Sequence, residues 1–141
     1  VDAVLSTTAL HWLAAGDLAR LYQQVGALVR PGGVLLNGDH LRFAPHLPTL
    51  QRVVSTWQER QATAALARHA GESWRAWWAA LAQEQVLQPL LDERARRFPH
   101  FVDDEQVPIA ELHEAALRAA SFREVGIIWR RMEEGVIMAV R

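Results

Sequence analysis

Apolar residues recur at the spacing of an α-helix across residues 17–30, and a short apolar run lies on either side of that segment. The helical stripe consists of Leu18, Leu21, Tyr22, Val25, Leu28 and Val29. Asp17 precedes the stripe and is predicted to cap the helix, because a side-chain oxygen there can accept from backbone N–H groups of the first turn. The flanking runs, residues 1–6 and 34–37, are predicted to be strands. The second run is predicted to be buried on both faces, as in a parallel sheet.

The sequence Pro31-Gly32-Gly33 separates the helix from the second strand. Proline cannot continue a helix, and glycine can adopt the positive φ angle that a tight reversal needs. The first part of the chain is therefore predicted to be a strand–helix–strand crossover.

Helical patterns fill residues 42–106. A first helix is predicted to begin at Pro48 and to carry Trp57 on its apolar face. Ser73 is a cap for a second helix, which places Trp74 and Trp77 on one face. A third helical segment is predicted from about residue 87 to residue 98.

The last part of the chain returns to alternation between helix and strand. A helix is predicted after Pro108, followed by strands at residues 123–129 and 136–140 that pair as a hairpin. Strands that alternate with helices predict an open α/β sheet with covered faces. The predicted division of the chain is a core segment at residues 1–41, a helical insertion at 42–106, and a last helix and strand pair at 107–141.

Composition excludes several classes of protein. The chain has 141 residues and a net charge of -1, which suits one domain and gives no sign of a basic nucleic-acid surface. It contains no cysteine, so disulfides, thiolate metal sites and cysteine nucleophiles are excluded. No apolar run approaches the roughly 20 residues of a membrane span. These features predict a cytoplasmic protein that binds neither nucleic acid nor membrane.

Polar residues follow both of the first two predicted strands. The first strand ends in Ser6-Thr7-Thr8 and the second in Asn37-Gly38-Asp39-His40. Ligands of open α/β sheets bind at the carboxyl ends of parallel strands, so we expect Asp39 and His40 at the ligand edge. They are candidates for substrate contact or for a base. The alternative is a turn in which Asp39 caps a local backbone amide.

Three segments together resemble one enzyme family. VDAVLSTTALHWL, the helix after it and LVRPGGVLLNGDH resemble the fourth strand through the fifth strand of class I S-adenosylmethionine-dependent methyltransferases. The ending ELHEAALRAASFREVGIIWRRMEEGVIMAVR resembles the last helix and terminal strand pair of that family. The LHWL form is similar to the small-molecule branch that includes trans-aconitate methyltransferase. The resemblance implies the C-terminal part of a Rossmann-like methyltransferase sheet, with parallel strands, a C-terminal antiparallel hairpin and an inserted helical cap.

The resemblance also implies a cofactor, S-adenosylmethionine. Ser6, Thr7, Thr8 and Trp12 would lie near its methionine part, and His11 near the transferred methyl group; the alternative for Trp12 is that it only anchors the loop on the core. The glycine-rich loop and the ribose-binding acidic residue of the family have no counterpart in this sequence. We therefore expect one incomplete domain, the C-terminal half of an enzyme, which is inactive when isolated from the cofactor-binding half.

Other motifs limit the chemistry. The Asn-Pro-Pro-Tyr pattern of nucleic-acid methyltransferases is absent at residues 6–8, and no G-x-S-x-G elbow is present. His113 and Glu114 do not form H-E-x-x-H, because position 117 is leucine, so no metal site is predicted. Ser121 stands where the family often has glycine, and serine is less suited to a left-handed helix stop.

The predicted function is methyl transfer to a small-molecule acceptor by the full-length parent protein. The candidate catalytic residues are His11, Asp39 and His40, since a base assists transfer to a hydroxyl or an amine. The candidate substrate-binding residues, with core packing as the alternative, are Trp57, Trp74 and Trp77. The competing hypothesis is a non-catalytic, methyltransferase-like scaffold subunit. The first strand is predicted to leave a free edge, which favours a dimer or a complex through that strand. The acceptor and the methylated atom are left open.

Overall fold

The computed structural model describes residues 1–69, 73–97 and 108–141. The chain divides into two compact units, one formed by Val1–Gln51 with Val102–Arg141 and the other by Arg52–Phe101. In chain order the elements are β1 (Ala3–Thr7), α1 (Ala15–Leu28), β2 (Val34–His40), α2 (Pro48–His69), α3 (Trp74–Leu81), α4 (Gln88–Arg97), α5 (Ala110–Ala119), β3 (Glu124–Arg131) and β4 (Glu134–Val140). The first unit contains the described strands together with α1 and α5.

The four strands of the described ranges form one sheet in the order β1-β2-β4-β3. β1 runs parallel to β2, whereas β4 runs antiparallel to both β2 and β3. The prediction of an α/β sheet that ends in a hairpin is therefore confirmed. The predicted division into three segments stays a prediction.

The core of this unit lies between the sheet and the helices α1 and α5. Leu18 and Tyr22 of α1, Leu117 of α5, and Leu35 and Ile137 of the strands are all at most 1% exposed. Fully burying one such aliphatic side chain contributes about 1.5 to 3 kcal/mol, so this cluster holds the helices on the sheet. The predicted stripe on α1 is confirmed except at its end, where Leu28 is 65% exposed.

Glycines allow the predicted reversal between α1 and β2. Gly32 has a φ of +76°, a conformation in which a residue with a side chain would be strained. A Cβ atom at Gly33 would lie 2.8 Å from the backbone oxygen of Asp2 and 2.9 Å from that of Arg30. The reversal is tied to the end of β4, because the amide of Gly32 donates to the carbonyl of Arg141 at 2.6 Å.

Two local predictions are wrong. α1 begins at Ala15 and has Ala14 as its N-cap, with no side-chain cap, so Asp17 lies inside the first turn. There its charge still complements the helix dipole, and it pairs with Arg20. β2 extends through Asp39 to His40 and alternates between buried and half-buried residues, so it is not buried on both faces. Asp39 is consequently a buried strand residue rather than part of a loop.

Serine occupies the left-handed position expected after α5. Ser121 stands where the resembling family often has glycine, and its φ is +71°, in the left-handed region that glycine favours. The stop is completed by Phe122, whose amide donates to the Leu117 carbonyl at 3.2 Å.

The second unit consists of helices. Ser73 caps α3 as predicted, since its Oγ accepts from the amide of Ala76 at 3.1 Å. The rings of Trp77 and Trp78 meet edge to face with centroids 5.0 Å apart, and the Arg94 guanidinium lies over Trp78. The proposal that these helices cap the sheet stays a prediction. Among the described residues, no helix combines the length and the apolar character that crossing a membrane requires.

Candidate functional site

The carboxyl ends of β1 and β2 lie side by side. Thr7 is paired with Gly38, and the amide of Thr8 donates to the Gly38 carbonyl at 2.9 Å. Thr8 has a φ of +48°, which turns the chain sharply out of the strand. The chain then forms a short 3-10 turn at Leu10–Trp12 beside the end of β2.

Asp39 caps that turn from the neighbouring strand. Its Oδ2 accepts from the amides of Leu10 at 2.9 Å and His11 at 3.1 Å. Its Oδ1 accepts from the amide of His40 at 2.9 Å, so the local cap considered from the sequence also exists. The first amides of a helical turn have no partner within the turn, and a carboxylate satisfies them well. Asp39 therefore fixes the position of His11.

The side chains of His11 and Asp39 form a buried pair. Nδ1 of His11 lies 2.5 Å from Oδ1 of Asp39, whose side chain is fully buried. Because a carboxylate only accepts hydrogen bonds, the imidazole donates from Nδ1. Nε2 is therefore the ring nitrogen that can receive a proton. The His11 residue is 7% exposed, which shields this pair from solvent.

Two more aromatic rings surround His11. The ring of Trp12 is 4.4 Å away between centroids, and the ring of His40 is 4.9 Å away in an edge-on arrangement. Trp12 is 41% exposed and His40 is also exposed, so both lie at the rim. No grouping of three His, Asp or Glu side chains suitable for a metal ion occurs in the described ranges.

An open depression of about 220 Å³ is lined by Asp39 of this pair, whereas His11 is not among its lining residues. Its lining includes four residues that the sequence predicted for the site: Thr7, Thr8, Asp39 and His40. Trp129 and Glu134 of the hairpin complete the wall with their neighbours. Strands that are distant in sequence thus bring polar and aromatic groups to one place.

The other predicted site residues lie elsewhere. Ser6 is half-buried in β1 and does not line the depression. Trp57, half-buried on α2, and Trp77, 43% exposed on α3, belong to the helical unit. The side chain of Trp74 lies outside the described residues. The roles predicted for these residues stay predictions.

The structure contains a second buried polar group, which the sequence did not predict. The Tyr22 hydroxyl lies 2.7 Å from Nδ1 of His113, and both residues are fully buried. Asn37 is equally buried; within the described residues neither of its amide atoms, nor Nε2 of His113, has a hydrogen-bond partner. These residues lie behind Asp39, because Asn37 and Asp39 are two positions apart on the inner face of β2.

Burial controls the protonation of this second group. It lowers the pKa of His113 from 6.5 to about 4, against the opposing influence of the Asp39 charge. Burial also raises the pKa of the Tyr22 hydroxyl, and the Asp39 charge raises it further. Asn37 lies near enough to lower the Tyr22 pKa slightly, although its amide makes no hydrogen bond of ordinary geometry. Tyr22 and His113 are therefore both neutral at pH 7.

No protein-family model matches this sequence, and no curated protein matches it either. Solved structures do match. An O-methyltransferase family protein from Burkholderia thailandensis is 14% identical, with a TM-score of 0.51 over 99% of this chain and 30% of its own. Human N-acetylserotonin methyltransferase, solved with S-adenosylmethionine, is 16% identical, with a TM-score of 0.50 over 99% of this chain and 29% of its own.

A third match is the S-adenosylmethionine-dependent methyltransferase SibL, solved in its apo form. It is 18% identical, with a TM-score of 0.50 over 99% of this chain and 30% of its own. The chain thus spans about a third of the length of the structures that it matches. At these identities the likeness is one of fold: the chain shares the fold of the matching segment of these methyltransferase structures.

Proposed function

We propose that this chain is the C-terminal part of a methyltransferase that transfers a methyl group from S-adenosylmethionine to a small-molecule acceptor. The contact between His11 and Asp39, at the point where two parallel strands end, carries the proposal. The methyltransferase fold supports it. In folds of this kind, ligands bind where parallel strands end.

The pair suits an acceptor that must lose a proton. Asp39 holds the proton of His11 on Nδ1, so Nε2 accepts the proton of an acceptor hydroxyl or amine as its oxygen or nitrogen attacks the methyl carbon. The developing imidazolium is stabilised by the Asp39 carboxylate. His40, whose ring contacts that of His11, helps to fix the ring plane and lies at the acceptor side of the depression.

The cofactor would be held in part by the end of β1. Bound S-adenosylmethionine would supply the methyl group, and the electron pair of the broken carbon–sulfur bond would stay with its sulfur. Thr7 and Thr8 line the depression with hydroxyls and backbone groups that suit a polar amino-acid moiety, and Ser6 and Trp12 flank them. Because the depression measures only about 220 Å³, a second wall from the remainder of the parent protein is part of the proposal. We expect the isolated chain to bind the cofactor weakly or not at all, which titration calorimetry measures.

The acceptor would be selected by apolar and aromatic surface. In this proposal Trp57, Trp74 and Trp77 of the helical unit contact the acceptor. Replacing Trp77 by alanine then changes the acceptor profile of the parent enzyme. The melting temperature falls only modestly, because Trp77 is 43% exposed and loses mainly its ring contact with Trp78. A stability loss with an unaltered profile would instead indicate packing.

The edge of β1 is the proposed contact with the rest of the parent protein. In the described sheet β1 is an outer strand, and Leu5 on it is 73% exposed. An outer strand with exposed apolar residues is a template for another strand. The same edge could serve a scaffold subunit without catalysis, which is the competing proposal.

The decisive experiment uses the complete reading frame that contains this chain. The protein is incubated with methyl-labelled S-adenosylmethionine and a panel of small acids, phenols and amines. Transfer to a panel member that is lost in His11→Ala and kept in His46→Ala supports the proposal, since His46 is exposed and outside the site. Tight cofactor binding without transfer, or transfer that His11→Ala leaves unchanged, contradicts it.

A further inference from the structure

The outer edge of β3 has the features of a contact between two copies of this chain. β3 is the last strand of the sheet, and no strand of the described residues lies on its other side. Ile128 is 60% exposed and Trp129 is 50% exposed on this strand. We propose that β3 pairs antiparallel with β3 of a second copy about a two-fold axis between Ile127 and Ile128. This inference does not rest on the proposed function, although Trp129 also lines the depression at the candidate site.

The pairing of β3 with β4 shows which side chains share a face. Glu124, Gly126, Trp129 and Arg131 are opposite Val140, Met138, Val136 and Glu134, which alternate along β4 and so lie on one side of the sheet. Trp129 joins this set because a bulge between Ile127 and Trp129 adds one residue. The four side chains therefore point to the same face.

The two-fold axis brings complementary residues together on that face. Glu124 is opposite the partner's Arg131, so opposite charges meet at both ends of the paired strands. Gly126 is opposite the partner's Trp129, so the largest side chain meets the residue without one. Directly opposite residues in antiparallel strands have their Cβ atoms about 5 Å apart, which is close enough for both contacts.

The space around Gly126 fits an indole. A Cβ atom at Gly126 would meet nothing within 4 Å. An open depression of about 280 Å³ surrounds this position and is lined mainly by Val125, Ile128, Met138 and Val140. An indole from a second copy would cover this apolar surface, and its own exposed ring would be buried at the same time. The surface is thus self-complementary, as a two-fold interface requires.

The bulge explains why a second copy fits better than an unrelated strand. A bulge twists an edge and impairs pairing with a regular strand. The two-fold axis places the bulge of one β3 opposite the same bulge of the partner β3, so the two irregular segments have matching backbone geometry. The Arg118 side chain donates to the Val125 carbonyl at 3.3 Å, a long bond that the partner's backbone can replace. Because such an edge contact is small, we expect a weak dimer that forms with rising concentration.

Charge reversal tests the register. Sedimentation of the chain over a concentration series gives the dimer dissociation constant for the wild type, Glu124→Arg, Arg131→Glu and the double variant. Each single reversal creates two like-charge contacts and should raise the constant about tenfold or more. The double variant restores both pairs, so its constant should return to within about threefold of the wild type. Glu124 and Arg131 do not line the depression at the candidate site, whereas Trp129 does, so the charged pair is the cleaner probe. Arg131 also pairs with Glu134 of its own chain, so Glu124→Arg is the cleaner of the two single variants.

The other sheet edge provides the control. Leu5→Arg places a charge on β1 and should leave the dimer unchanged. A chain that stays monomeric at every concentration overturns the inference. A dimer that Leu5→Arg abolishes while Glu124→Arg leaves it intact overturns it as well, and assigns the contact to β1. A double variant as weak as the single variants contradicts the proposed register.

Discussion

His11 and His113 are both buried, and both use Nδ1 for a hydrogen bond, but their partners differ. Nδ1 of His11 lies 2.5 Å from the carboxylate of Asp39, whereas Nδ1 of His113 lies 2.7 Å from the hydroxyl of Tyr22. His11 is 7% exposed and lies between rim residues at the ends of two strands. His113 is 0% exposed and lies within the core.

The difference in partner and access decides what each ring can do. A carboxylate fixes the proton on Nδ1 and stabilises a positive ring, so a proton can enter at the other nitrogen. A neutral hydroxyl in a closed core gives no such stabilisation, and burial lowers the pKa of His113 to about 4. Under the proposed function, we therefore expect His11 to serve the reaction and His113 to serve stability, and each prediction below tests that separation.

Exchanging each histidine for alanine should give opposite results. In the parent enzyme, His11→Ala should lower kcat/KM about 10² to 10⁴-fold, because the base is lost. The buried Asp39 carboxylate keeps its three backbone amide donors, so the free energy of unfolding should fall by less than it does in His113→Ala. His113→Ala should lower the free energy of unfolding by about 2 to 4 kcal/mol, through a cavity and an unpaired Tyr22 hydroxyl.

The pair of variants is measured by steady-state kinetics and urea unfolding. The separation fails if both substitutions reduce activity and stability in the same proportion. His46→Ala, at an exposed position of the same unit, should change neither quantity.

Asp39→Asn should reduce activity by about 10² to 10³-fold while His11 remains in place. An amide has one acceptor oxygen, but Asp39 accepts from three backbone amides and from His11. The ring would then lose its fixed tautomer, which matters strongly for a histidine base. Nitrogen NMR should show His11 protonated on Nδ1 in the wild type and a mixture in the variant. Asp17→Asn on the exposed face of α1 is the matched control, and an unchanged tautomer in Asp39→Asn would contradict the assignment.

The sequence predicted the framework of the site but not its contacts. Gly32 and Gly33 revealed the reversal, because few other residues fit such a turn, and the alternation near residues 123–140 revealed the hairpin. The ends of β1 and β2 followed from that framework, and they supplied Thr7, Thr8, Asp39 and His40. These features depend on local backbone preference, which a single sequence displays.

The contacts depend on packing between distant segments. His11 and Asp39 are 28 residues apart and meet because Thr8 has a positive φ that turns the chain back. Threonine has no preference for this conformation, so the sequence does not predict the turn. Tyr22 and His113 are 91 residues apart. The spacing of Tyr22 places it in the apolar stripe of α1 and gives no indication of a partner for its hydroxyl. The sequence likewise does not show the register of the strand that carries Trp129. The error at Asp17 arose because Ala14 starts the helix without any side-chain cap, which the sequence pattern does not show.

The stability of the chain should fall in acid through His113. Its folded pKa of about 4 is below the ordinary value of 6.5, so the unfolded chain binds this proton first. The stabilisation is complete above pH 6.5 and is lost as the pH falls from 6.5 towards 4. The loss is at most about 3 kcal/mol, from the difference between the two pKa values. Urea unfolding of the wild type and of His113→Leu across this range isolates the effect from other groups; parallel pH profiles for the two proteins would refute it.

Tyr22→Phe should have the smallest effect and should act on stability alone. The substitution keeps the ring but leaves Nδ1 of His113 without its partner in the core, which costs about 1 to 2 kcal/mol. Activity of the proposed parent enzyme should change by less than about threefold. Among the described residues the hydroxyl makes no hydrogen bond to Asp39 or His11, and that pair keeps its backbone donors. A double-mutant cycle with His113→Leu measures the coupling between the two side chains. When both polar groups are removed, neither is left unpaired in the core. The double variant should therefore be less destabilised than the sum of the single variants. Strict additivity would mean that the 2.7 Å contact contributes nothing to folding. A large loss of activity in Tyr22→Phe would instead join His113 and Tyr22 to the catalytic pair and remove the distinction between the two histidines.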